Sequence, residues 1–130
     1  MISDQEVRFI ALQRKNNPAK KATFFFVDVD NTLLMQDQFI EIPDKYRVKM
    51  KLFEKYYYLK QNKKNIAKVK QMFSKGFTCI LWSAAGVKWA KQAARALKLQ
   101  KYFKYILSKP YLYMDDKPPS HWVEINLYQK

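Results

Sequence analysis

An α/β fold built on a parallel sheet follows from three features of the chain. Apolar runs at residues 24–27, 77–82 and 105–107 are strand-like, two amphipathic stretches of helical spacing lie between them, and each run ends in a polar residue able to do chemistry. Strand, helix, strand, helix, strand in this order predicts right-handed crossovers with helices on both faces of the sheet. The strand ends then share one edge, where open α/β sheets bind ligands.

Residues 1–22 form an N-terminal extension. Ser3 with Glu6 three positions on is a capping-box pattern, and Val7, Ile10, Ala11 and Arg14 continue it with helical spacing, so a helix over residues 4 to about 15 is expected, stopped by Asn16-Asn17-Pro18. Residues 24–27 run apolar without alternation, as in a strand buried on both faces. Residues 33–60 make a small flap. Within it residues 39–42 and 48–52 alternate, and Pro43-Asp44 between them reads as the turn of a hairpin. Phe53, Tyr56, Tyr57 and Leu59 admit helix or loop. The Tyr56-Tyr57-Tyr58 cluster among lysines offers a stacking surface for nucleobases, with packing the commoner use of such aromatics.

Residues 62–75 read as a helix with Ile66, Val69 and Phe73 in one stripe and Gly76 as its C′ residue. After the next strand, residues 87–97 are helical, with Val87, Ala90, Ala94 and Leu97 inward and Lys88, Lys91, Gln92, Arg95 and Lys98 outward. Ser83 and the N–H groups after it therefore lie beside a helix N-terminus, a ready anion site, with a plain N-cap as the serine's other use. Residues 99–105 connect to a short strand at 105–107, and Pro110 holds Lys109 extended. Tyr111-Leu112-Tyr113-Met114 is a further apolar run, ending in Asp115 and Asp116. Pro118-Pro119 forbid a helix there, and residues 123–127 alternate as an edge strand. His121, the single histidine, is read as structural or surface.

At 130 residues, 48% hydrophobic and 16% aromatic, the chain is one globular domain. Its two glycines, Gly76 and Gly86, exclude a Gly-rich phosphate or dinucleotide loop. The lone Cys79 excludes an internal disulfide, fits a reducing compartment and lies in an apolar run as a buried thiol. A cysteine-based phosphatase loop would need arginine at position 85, which is Ala85. With no signal peptide and no run long enough to span a bilayer, a cytoplasmic protein without membrane contact is expected. Against 11 Asp and Glu stand 25 Lys and Arg, a net charge of +14 that suits nucleic acid, phosphoproteins or other polyanions; a solubility habit or a bias toward Lys, Asn and Tyr explains it equally.

Asp28 and Asp30 close the first strand. Two carboxylates two residues apart in extended chain point the same way and repel unless a cation or shared proton lies between them. Hard oxygen ligands of this kind favour Mg²⁺. An Asx-rich turn with acids facing water is the other reading of the stretch.

Four segments in order break that tie: the apolar run ending Asp28-Val29-Asp30-Asn31-Thr32, the run ending in Ser83, Lys109 after a short apolar stretch, and the run ending Asp115-Asp116. Over residues 24 to about 117 they resemble the four signature motifs of the haloacid dehalogenase-like (HAD) hydrolases. The resemblance implies a Rossmann-like three-layer sandwich with a central parallel sheet, a small flap and no large cap. It also implies a Mg²⁺-dependent phosphatase working through an aspartyl-phosphate. Asp28 would be the nucleophile and Asp30 the general acid and base. Thr32, Ser83, Ala84 and Lys109 would bind the phosphoryl group, Thr32 also fixing the motif I turn. Asp28, Asp30, Asp115 and Asp116 would hold the metal, Asp30 by its backbone carbonyl and Asp116 through water or by orienting Lys109. Position 31 departs from the family in carrying Asn where Gly is commoner, though Asn tolerates the same left-handed backbone. Lys109 and Asp115 are close in sequence, as in compact members, and the usual last strand and helix are expected to be reduced or missing. An uncapped site with so basic a surface favours nucleic acid ends, nucleotides or another polyanionic phosphomonoester as substrate. The alternatives are a non-catalytic, basic nucleic-acid-binding module on the same fold and a phosphotransferase.

Overall fold

The computed structural model describes residues 23–41, 43, 45–121 and, singly, 5, 8, 9 and 127. The helix expected over residues 4–15 and the edge strand expected over 123–127 fall outside this range but for those single residues. Strands β1 (Phe24–Asp28), β5 (Thr78–Ser83) and β6 (Phe103–Ser108) form a parallel sheet in the order β1-β5-β6. Strands β2 (Leu34–Ile40), β3 (Arg47–Leu52) and β4 (Lys55–Gln61) form an antiparallel sheet in the order β2-β4-β3. Helix α1 (Lys63–Ser74) joins β4 to β5, and α2 (Val87–Ala96) joins β5 to β6.

The parallel strands advance across the sheet in one direction, so right-handed crossovers place both helices on the same face. The packing agrees. Val69 of α1 and Trp89, Ala90, Ala93 and Ala94 of α2 share one core with Val27, Cys79, Leu81 and Phe103, while Met72 packs on Phe25 and Phe77. The expectation of helices on both faces is thus met on one face only among the described residues. On the other face Phe24 and Phe26 are 53% and 43% exposed, and Phe26 lies against Trp82 with ring centroids 4.6 Å apart. It is the central β5, with Cys79, Ile80 and Leu81 all buried, and not the edge strand β1, that is covered on both sides.

Both ends of α1 are closed by local chemistry. Asn62 Oδ1 accepts the Asn65 N–H at 3.1 Å, a side-chain N-cap. At the other end Gly76 adopts φ +90°. Its N–H reaches Phe73 O at 3.0 Å and the Phe77 N–H reaches Met72 O at 3.2 Å, which is the Schellman pair. The inward stripe is Asn65, Val69 and Met72. Phe73, placed inward by the sequence, instead sets its ring edge-on to Tyr102, 5.1 Å between centroids.

The flap corrects the expected hairpin. Strands β3 and β4 are the paired arms, Leu52 opposite Lys55, and the two residues between them, Phe53 and Glu54, have φ +49° and +66°. Two successive positive φ values in a two-residue loop define the type I′ turn, whose twist matches the strands. The stretch read as helix or loop is therefore strand β4, and the expected partner of β3 across Pro43-Asp44, β2, pairs with β4 instead. The free edge of β3 docks on α2: Gln92, assigned outward, accepts the Lys51 N–H and donates Nε2–H to Lys51 O at 3.1 Å. Its amide supplies the donor and acceptor that a neighbouring strand would. Among the described residues no helix is long and apolar enough to cross a membrane.

Candidate active site

Strand β1 ends at Asp28, and the chain then folds tightly around the Val29 carbonyl, which accepts N–H bonds from Thr32 (3.3 Å), Leu33 (2.9 Å) and Leu34 (3.1 Å). Asn31 turns the corner with φ +59°, the left-handed backbone for which Asn is suited. Val29, Leu33 and Leu34 are fully buried, so the loop is anchored by its apolar side chains. From α1, buried Asn65 donates Nδ2–H to Thr32 O at 2.8 Å, and the Asn62 N–H reaches Leu33 O at 2.8 Å. The end of the flap and the start of α1 are thereby fastened to the acidic loop.

The two carboxylates do not share a cation; each has its own donors. Lys109 Nζ lies 3.2 Å from Asp28 Oδ1, and Thr32 Oγ1 donates to Asp28 Oδ2 at 3.3 Å. Asp30 turns toward α2, where Trp89 Nε1 donates to Oδ1 at 2.8 Å and Ser83 Oγ donates to Oδ2 at 3.2 Å. Three segments far apart in sequence, residues 28–32, 83–89 and 109, meet here because β1, β5 and β6 run parallel and end together. The Lys109 N–H extends the β5–β6 ladder to Ser83 O at 2.9 Å, which brings its side chain over the strand ends. The same ammonium lies 6.0 Å from the Trp82 ring centroid.

Asp28, Asp30, Thr32, Ser83 and Lys109 are therefore brought together, with Ala84 exposed on the turn that follows β5. Ser83 is enclosed between β5 and the acidic loop. It is 0% exposed, its one proton goes to Asp30, and its oxygen accepts the Ala85 N–H at 3.0 Å. It is a buried link between strand β5 and Asp30, and the N-cap of α2 is Gly86.

Asp115 and Asp116 stand apart. Residues 111–114 form no strand, and Met114 is 100% exposed. The reason is topological: only Lys109 and Pro110 separate β6 from Tyr111, whereas a further parallel strand needs a crossover of about a dozen residues. The Asp116 side chain and the Lys117 N–H, the latter at 3.0 Å, hydrogen-bond Asp115 and hold its carboxyl below the ordinary carboxylate value. Among the described residues no group of three or more His, Cys, Asp or Glu side chains gathers closely enough to hold a metal. Mg²⁺ is commonly held by one or two carboxylates together with substrate phosphate. Here both oxygens of Asp28, by Lys109 and Thr32, and both of Asp30, by Trp89 and Ser83, already have donors. Asp28 fits the ion only by exchanging one of its own, the 3.3 Å hydroxyl bond of Thr32 being the longest of the four.

Three residues of this site escape a motif reading: Trp89, Asn65 and Asn62. Trp89 was readable in principle, because an indole buried on the inner stripe of a helix needs an acceptor for its N–H. No family model matches the chain, and no curated protein matches it either.

Proposed function

We propose that the protein is a Mg²⁺-dependent phosphohydrolase of the HAD type, acting on a phosphomonoester through an aspartyl-phosphate on Asp28. The observation that carries this reading is the ion pair of Asp28 with Lys109, formed between the ends of β1 and β6 beside a second carboxylate. A lysine against the nucleophile marks the position where phosphoryl oxygens would lie, and its charge would offset theirs as Asp28 Oδ1 attacks phosphorus. The leaving oxygen departs with a proton from Asp30. Asp30 then takes a proton from water, whose oxygen attacks phosphorus, releasing orthophosphate and the free Asp28 carboxylate. Trp89 and Ser83 position Asp30; Thr32 orients Asp28; the exposed Ala84 turn and Lys109 face the phosphoryl group. Bound Mg²⁺ supplies charge neutralisation that makes a carboxylate competent against a phosphoryl anion. Asp28 and the Asp30 backbone carbonyl are the residues proposed to hold it, with Asp115 and Asp116 contributing only if the segment after Pro110 closes over the strand ends. A cytoplasmic setting is proposed with it, on the buried free thiol of Cys79.

The test is phosphate release from a generic aryl phosphate with and without Mg²⁺, wild type beside Asp28→Asn and Asp115→Asn. Metal-dependent turnover lost in Asp28→Asn supports the mechanism, and turnover retained in that variant rejects it. Asp115→Asn separately decides whether the exposed acid joins the site. A second reading, a non-catalytic basic binding module on this fold, draws on the internal satisfaction of both carboxylates; it requires silence toward every phosphomonoester together with salt-dependent binding of nucleic acid that survives Asp28→Asn.

A further inference from the structure

The antiparallel sheet has a second surface that the strand-end site does not use. Along β3, Val48 and Met50 are buried while Lys49 and Lys51 are exposed, so the strand's alternation sends one set to the core and the other outward. Pairing with β4 sets Arg47 opposite Lys60, Lys49 opposite Tyr58 and Lys51 opposite Tyr56. The tyrosine cluster is thereby divided: Tyr57, opposite Met50, belongs to the inner face, and Tyr56 and Tyr58 belong to the outer one. Tyr56 is 50% exposed, with Lys49 Nζ 4.2 Å and Lys51 Nζ 5.9 Å from its ring centroid. The outer face of these two strands thus carries four cations and two aromatic rings in three cross-strand rows. Neither strand contains an acid, while Glu54 of the turn between them lies 3.5 Å from Lys51 Nζ and Arg47 Nη1 donates to Tyr58 O at 3.4 Å.

One physical point says what this face fits. Flat rings interleaved with cations match a chain that alternates π faces with phosphates, since every base can stack on an aromatic ring whatever its identity. A bare polyanion would use the lysines and leave the tyrosines idle.

We propose that the outer face of the β3–β4 hairpin binds single-stranded nucleic acid, with bases stacked on Tyr56 and Tyr58 and phosphates paired with Arg47, Lys49, Lys51 and Lys60. The proposal stands whether or not the strand-end site hydrolyses phosphomonoesters.

The experiment is fluorescence anisotropy of a short fluorescein-labelled oligothymidylate with the full chain across a salt series. Four phosphate contacts give a log–log salt slope of about −3. Tyr56→Ala weakens binding roughly 5- to 150-fold, the range for loss of one stacked base, and Tyr56→Phe restores it. An abasic oligomer of equal length binds more weakly than the oligothymidylate; equal affinity overturns the stacking argument. Lys49→Gln with Lys51→Gln lowers affinity more than Lys88→Gln with Lys91→Gln on the outside of α2; equal losses mean that net charge alone attracts the strand and overturn the site. To avoid dependence on variant folding, a 5-iodouracil oligomer is photocrosslinked to the wild-type protein and the adduct mapped: attachment at Tyr56 or Tyr58 supports the proposal, and attachment confined to other elements, or no binding at low salt, rejects it.

Discussion

Replacing Trp89 by Phe tests the link between α2 and the acidic loop most directly. The indole is buried, and its Nε1–H donates to Asp30 Oδ1 at 2.8 Å. A hydrogen bond to a charged partner contributes about 1.5–3 kcal/mol, and the smaller ring gives up about 1 kcal/mol of packing. Trp89→Phe should therefore lower stability by about 2.5–4 kcal/mol in the wild-type background. In an Asp30→Ala background the acceptor is gone and only the packing loss of about 1 kcal/mol remains. The difference, a coupling of about 1.5–3 kcal/mol, is what a double-mutant cycle isolates. The assay is urea unfolding followed by far-ultraviolet circular dichroism, since tryptophan fluorescence changes with the substitution itself. A coupling below about 0.5 kcal/mol would show that the indole and the carboxylate act independently, and the account of how Asp30 is held would be wrong.

Three further outcomes can be measured on the same material. Phe53→Asn with Glu54→Gly places the favoured residues in a turn where both φ values are positive, and should raise unfolding free energy by about 1–2 kcal/mol without altering the strands; a neutral or negative change refutes the I′ assignment. Asn65→Ala removes the amide that donates to Thr32 O, and should cost about 1–3 kcal/mol while speeding amide exchange of residues 31–34 more than that of α2. Burial pushes the Cys79 thiol up from 9.0 to about 11. Because the fold favours the protonated thiol, its contribution to stability is whole below pH 9.0 and is lost as pH rises through about 11. A thiol reagent at pH 8 should accordingly label Cys79 only as fast as the protein opens, and rapid labelling of the native state would contradict the burial.

Much of the site is legible along the chain because its signals are local. Residues 24–28 and 78–83 are strands at the expected apolar runs, since such runs suit only buried extended chain or buried helix and these are too short for helix. Gly76 stops α1 because it alone there takes positive φ without a Cβ penalty. The approach of Lys109 to Asp28 follows from both residues ending parallel strands. The hairpin turn was not legible. Phe53-Glu54 carries none of the Asn, Asp or Gly that advertise a type I′ loop, whereas Pro43-Asp44 has turn chemistry without being the turn between β3 and its partner. Register with β4 and the inward pull of Val48, Met50 and Leu59 decided it.

What the sequence by itself determined are strands β1 and β5, the two helices, the Gly76 stop of α1 and the charged residues at the strand ends, all of which depend on neighbours within a turn or a strand's length. Tertiary structure alone decided the rest. It put both helices on one face, because handed crossovers act on the strand order and that order is not written in any single segment. It turned Asp30 toward Trp89 and Ser83 and enclosed the serine. It left Asp115 and Asp116 in solvent, since Lys109 and Pro110 are too short a link to carry the chain back for another parallel strand. It also divided three consecutive tyrosines between core and surface, because a strand's alternation has meaning only once one face is covered.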